Sequence, residues 1–73
     1  MSTFIHPNKY EVVQELGQPE NIIIEDPYGW HWAGIPTVDM SAEEFMFSLP
    51  DGFIVKKVGW YGTDYTYFGV WRK

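Results

Sequence analysis

A chain of 73 residues with a formal net charge of −5, 19% aromatic side chains and no cysteine is one small domain, near the size at which a single core yields only a few kcal/mol of net stability. Disulfide staples and thiolate metal sites are excluded, so four Trp, five Tyr and five Phe must hold the fold by packing. There is no run of about 18 apolar residues that could span a bilayer, and the start MSTFIHPNKYE lacks a basic and then apolar leader; a single cytoplasmic domain over residues 1–73, away from the membrane, is expected.

Along the chain, KYEVVQELG (9–17) places Tyr10, Val12, Val13 and Leu16 at spacings that suit a short helical face, with Asn8 as N-cap and Gly17 as terminator. A strand is the rival there, because Val12 and Val13 are β-branched. NIIIE (21–25) is a β-branched run bounded by turn residues and predicts a largely buried strand. DPYG (26–29) has proline second and glycine fourth, as a type I turn prefers, so WHWAGI can return antiparallel and close a first hairpin.

DMSAEEFMFSLPDG (39–52) carries the clearest helix signal. Ser41 and Glu44 form a capping box, Glu43 and Glu44 complement the helix dipole, and LPDG stops the helix after about two turns. Phe45 and Leu49, four apart, with Met46 beside them, predict a face that docks on a sheet. FIVKKVGWYGTDYTYFGVWRK (53–73) predicts a second hairpin closed around YGTD. In its last strand Tyr65, Tyr67 and Trp71 share one face, and Thr66, Phe68, Val70 and Arg72 the other. The fold class is therefore α+β: a small antiparallel sheet of two β-hairpins with one or two short helices packed on one face.

Motifs for catalysis are missing. Ser2, Ser41 and Ser48 lack a nucleophile-elbow context, and His6 and His31 are not at zinc-ligand spacing and read as lone surface histidines. Glu25-Asp26 and Glu43-Glu44 are adjacent pairs that suit a turn and a helix start, and neither a calcium loop nor a phosphate-binding glycine loop occurs. No enzyme, cofactor or metal site is expected.

The aromatic stretch DPYGWHWAGIP (26–36) admits three readings. In an extended segment Tyr28, Trp30 and Trp32 project to one side, where they could form core, anchor a protein partner, or stack sugars or bases. Charge ranks these readings. Residues 1–51 hold nine acids against Lys9, net −8, and residues 52–73 hold four cations against Asp64, net +3. An acidic chain is repelled by phosphate and attracted to basic protein surfaces, so direct nucleic-acid binding is disfavoured and protein contact is favoured.

In its length, its start MSTFIHPNKYEVVQELG and its charge split, the chain resembles the small host-takeover proteins that bacteriophages encode. Within that group it is similar to RNA-polymerase-binding transcription regulators such as those of Xanthomonas phage. The resemblance implies a protein that binds bacterial RNA polymerase through protein–protein contacts, inhibiting initiation or acting as an antiterminator; a monomer is expected. Glu11, Glu15, Glu43 and Glu44 are then the candidate charged contacts and Tyr28, Trp30 and Trp32 the candidate anchors. The runner-up is an acidic mimic of nucleic acid that inhibits a host nuclease or defence complex, and the third reading is a carbohydrate-binding module.

Overall fold

A computed structural model describes residues 15–73. Strands β1 (Asn21–Asp26), β2 (Gly29–Trp32), β3 (Phe53–Tyr61) and β4 (Tyr65–Arg72) and the helix α1 (Ala42–Ser48) follow in the order β1, β2, α1, β3, β4. The four strands form one antiparallel sheet with spatial order β2-β1-β4-β3. Both expected hairpins are present, and the pairing of β1 with β4 joins them into the α+β fold. Glu15 and Leu16 are helical; the rest of the expected 9–17 helix, Glu11 included, lies outside the described residues.

Register assigns every strand residue to a face. Ile23 is opposite Trp32 and Phe68, Asn21 opposite Val70, and Val70 opposite Val55. Ile23, Trp32, Val55, Phe68 and Val70, with Phe53, meet Ala42 and Phe45 of α1 in the first core cluster. Full burial of a side chain such as Phe45 is worth about 1.5–3 kcal/mol, so this cluster is the main support of a small domain. On the opposite face Val58, Tyr67 and Trp71 pack with Leu16, Ile22, Ile24 and Ile54. Val58 reaches that face by alternation from Ile54 and Lys56. A register shift between Lys57 and Gly59 marks a bulge in β3 that sets Gly59 opposite Tyr67 and Tyr61 opposite Tyr65 there. The same bulge, with Lys56 and Lys57, blunts β3 as an edge strand.

Helix α1 begins as its capping residues dictate. Ser41 is extended and its side chain accepts a hydrogen bond from the Glu44 N–H at 3.1 Å, while the Phe45 N–H donates to the Ser41 carbonyl at 2.9 Å. Its end corrects the expected docking face. Leu49 takes a left-handed conformation (φ 31°) and donates its N–H to the Phe45 carbonyl at 2.6 Å. That reversal leaves Leu49 exposed, and Ala42 fills the place beside Phe45.

The return strand is also shorter than WHWAGI suggests. After Trp32 one more backbone bond forms, from Ala33 N–H to the Ile22 carbonyl at 2.8 Å. The chain then leaves the sheet, and Ile35 stands in solvent. The segment that follows folds back over the helix face, where Val38 and Met40 pack on the core and the Met40 carbonyl accepts the Trp32 indole N–H at 2.9 Å.

Candidate binding site at the hairpin end of the sheet

Because β1 and β4 are antiparallel with Glu25 opposite Thr66, the β1–β2 turn and the β3–β4 turn lie at the same end of the sheet. Each turn is built by local chemistry. Asp26 Oδ1 accepts the N–H groups of Tyr28 (2.8 Å) and Gly29 (2.9 Å), an Asx turn that closes the Pro27-Tyr28 loop. Tyr61 pairs with Tyr65, and Gly62, at φ 65°, supplies the left-handed residue that the tight connection requires.

Between these turns, on the face opposite α1, lies a hollow of about 270 Å³ lined by Ile24, Asp26, His31, Tyr61, Tyr65 and Tyr67. Ile24 is the cross-strand partner of both His31 and Tyr67, which sets the floor. His31 Nε2 is 2.9 Å from Asp26 Oδ2, so one carboxylate holds the turn with one oxygen and orients the imidazole with the other. Burial first, and then the neighbouring Tyr61 and Tyr65, push the Tyr67 phenol above its ordinary pKa. Tyr61 (52% exposed) and Tyr65 (42%) keep its mouth aromatic and wet, while Tyr28 (94%) stands on the turn beside it and Trp60 (55%), opposite Thr66, is exposed at the same end on the helix face.

The structure divides the expected aromatic row. Trp30 and Trp32 point to the helix face, where Trp30 lies 5.4 Å from Phe68 and Trp32 meets Phe45 edge-on at 5.3 Å, centroid to centroid. Both are half-buried core side chains. Tyr28 belongs to the turn, outside the strand alternation that would align it with them. Of the three candidate anchors, Tyr28 alone is fully presented to solvent.

The candidate acids are divided as well. Glu43 and Glu44 are exposed in the first turn of α1, over one face of the sheet. Glu15 is exposed beside Leu16, which packs on the other face. The sheet stands between the two groups, so they do not make one contact patch. The C-terminal cations are likewise not all available, because Arg72 lies over the Phe53 ring and contacts both Glu20 carboxylate oxygens at 3.2 Å.

His31 is not the isolated surface histidine expected from its spacing; Asp26 engages it. Composition already marked Tyr61, Tyr65 and Tyr67 as aromatic, but the signal that places them beside Asp26 and His31 is the β1–β4 register. Among the described residues no three His, Cys, Asp or Glu side chains converge to hold a metal, and no helix is long and apolar enough to cross a membrane. Comparison with protein-family models, curated proteins and solved structures found no match for this chain.

Proposed function

We propose that the chain is a protein-binding regulator of the phage host-takeover kind, which docks on bacterial RNA polymerase through the hairpin end of its sheet and inhibits initiation or acts in antitermination. The observation that carries the binding role is the gathering of Tyr28, Trp60, Tyr61 and Tyr65, all substantially exposed, at one end of so small a domain. Tyrosine and tryptophan are among the side chains most enriched in interface hot spots. The exposed faces of these four gain nothing from the hydrophobic effect in folding, and Trp60 makes a surface cation–π contact with Lys57.

Charge has the second role. The net charge of −5 draws the protein toward a basic surface and speeds encounter. Glu15 lies on one side of the sheet and Glu43 and Glu44 on the other, so these three steer without forming the contact itself. Desolvated aromatics then set the dissociation rate. The resemblance in size, charge split and aromatic content supplies RNA polymerase as the partner. On this reading inhibition of initiation follows if the bound domain excludes a sigma factor or its contacts, and antitermination if it stays bound during elongation.

The test is binding of the purified chain to purified bacterial RNA polymerase core and holoenzyme by biolayer interferometry at low and high salt, with promoter-run-off and terminator read-through assays alongside. Expected are saturable binding that weakens with salt and a change in run-off or read-through. Absence of binding to both polymerase forms sinks the proposal.

A further inference from the structure

We infer that the hollow lined by Ile24, Asp26, His31, Tyr61, Tyr65 and Tyr67 is a receptor for an arginine side chain of the partner protein. This inference deepens the protein-binding reading above and rests on it. Three features of the hollow carry it.

The first is size. At about 270 Å³ the hollow falls just under the roughly 300–1,000 Å³ typical of pockets for drug-sized ligands, and it suits one long side chain. The second is its electrostatics. Three tyrosines line it, and the electron-rich face of an aromatic ring attracts a cation within about 6 Å of its centroid. Asp26 adds the one formal negative charge of the lining, on a side chain only 17% exposed, where reduced solvent screening strengthens its attraction for a cation. Its Oδ1 is taken by two backbone N–H groups and its Oδ2 by His31, yet a carboxylate oxygen can accept two bonds, so Oδ2 keeps one acceptor position. Lys56, on the same face, lies farther along the sheet opposite Gly69.

The third feature selects arginine over lysine. Tyr61 and Tyr65 are about half exposed, so the hollow strips little water from what enters. Selection then rests on shape: unlike an ammonium, a guanidinium is planar and able to stack on a ring while donating in its own plane. It can therefore lie against tyrosine and still reach Asp26. A basic occupant also agrees with the charge complementarity of a net acidic domain and a basic partner.

The test is NMR titration of the full chain with Nα-acetyl-arginine methylamide, beside the matching capped lysine, capped citrulline and methyl α-glucoside. Expected are saturable shifts of the Tyr61, Tyr65, Tyr67 and His31 ring signals with the arginine probe, about threefold or more weaker binding of lysine, and no saturation with the uncharged citrulline. Tyr65→Leu is expected to weaken arginine binding about fivefold, the loss of one cation–π partner, and Asp26→Asn to abolish it while keeping an Asx turn. Should Asp26→Asn disturb the amide spectrum, the Tyr61→Leu and Tyr65→Leu pair decides the matter. Equal binding of citrulline, arginine binding unchanged in Tyr65→Leu, or saturation by the glucoside alone overturns the inference.

The two proposals fail differently. Arginine binding in the hollow without polymerase binding removes the polymerase reading and keeps the receptor. Polymerase binding that is indifferent to Tyr61→Leu and Tyr65→Leu, with no arginine shifts, removes the receptor and keeps the regulator.

Discussion

Gly69 lies directly beneath the indole of Trp71: a β-carbon built at position 69 would stand 2.6 Å from Cη2 of that ring. The ring has nowhere cheap to go, since Trp71 is buried and its Nε1–H donates to the Gly17 carbonyl at 2.8 Å. Val58 Cγ1, 3.0 Å from the same point, closes the other side. Gly69→Ala is therefore expected to lower stability by about 1–3 kcal/mol, the cost of overpacking a filled core. Urea denaturation read by tryptophan fluorescence measures it, and a midpoint equal to that of the parent chain contradicts the assignment.

Trp32 makes a complementary case on the helix face. Its ring packs on Phe45 and its indole N–H satisfies the Met40 carbonyl, so it holds the 33–41 connection against the sheet. Trp32→Phe keeps much of the apolar area and leaves the Met40 carbonyl without that donor, an expected loss of about 1–3 kcal/mol. Trp32→Ala adds a cavity, for about 3–5 kcal/mol in all. Thermal unfolding that places the two variants at the same Tm would show that the hydrogen bond, and not the ring, dominates.

Much of this fold was legible in the sequence because its signals are local. Ser41 and Glu44 announce a helix start, the Ile22–Ile24 run announces a strand, and the alternation from Tyr65 to Arg72 sorts the faces of β4 correctly. What was not legible depends on long-range pairing or on a conformational reversal. Leu49 has the right spacing to dock with Phe45, but the left-handed cap turns it outward. Tyr28, Trp30 and Trp32 alternate in sequence, but Tyr28 falls in a turn and escapes the pleat. The candidate site depends most on what sequence spacing cannot convey: Asp26 and His31 meet Tyr65 and Tyr67 only because β1 pairs with a strand some forty residues later.

The left-handed cap invites a stabilising change. A non-glycine residue in this region is strained by about 1–2 kcal/mol, and Leu49 at φ 31° recovers little of that through burial because its side chain is exposed. Leu49→Gly is expected to be neutral or to stabilise by up to about 1 kcal/mol. Ser41→Ala, at the other end of α1, is expected to cost about 1 kcal/mol by removing the acceptor for the Glu44 N–H. Chemical denaturation of both variants gives the comparison, and a Leu49→Gly variant as damaged as Ser41→Ala would mean that the leucine side chain has a packing role.

Tyr67 makes stability sensitive to alkali. Its phenol ionises above the ordinary value of about 10 in the folded protein, while the unfolded chain ionises near 10. Above that pH the unfolded state has released the proton and the folded state still holds it, so stability is full below about 10 and falls as pH rises toward the raised folded value. Tyr67→Phe removes this contribution and is expected to flatten the alkaline limb of a stability profile taken between pH 8 and 11. An identical limb in the variant would assign the loss to other groups.

The exposed turn and the half-buried Trp30 should separate cleanly in a paired experiment. Tyr28 is solvated on nearly all sides and its backbone N–H, which bonds to Asp26, survives substitution. Tyr28→Ala is therefore expected to change stability by less than about 0.5 kcal/mol and, if the chain docks on polymerase as proposed, to weaken that binding by about tenfold or more, as loss of an interface aromatic does. Trp30→Ala has the reverse signature. It removes a ring packed on Phe68 and should lower stability by about 3 kcal/mol, with any loss of binding following the folded fraction. Measuring both variants for Tm and for polymerase affinity decides which aromatics are structural and which are presented. Unchanged affinity in Tyr28→Ala would remove that turn from the contact surface and leave the tyrosines of the β3–β4 hairpin to carry it.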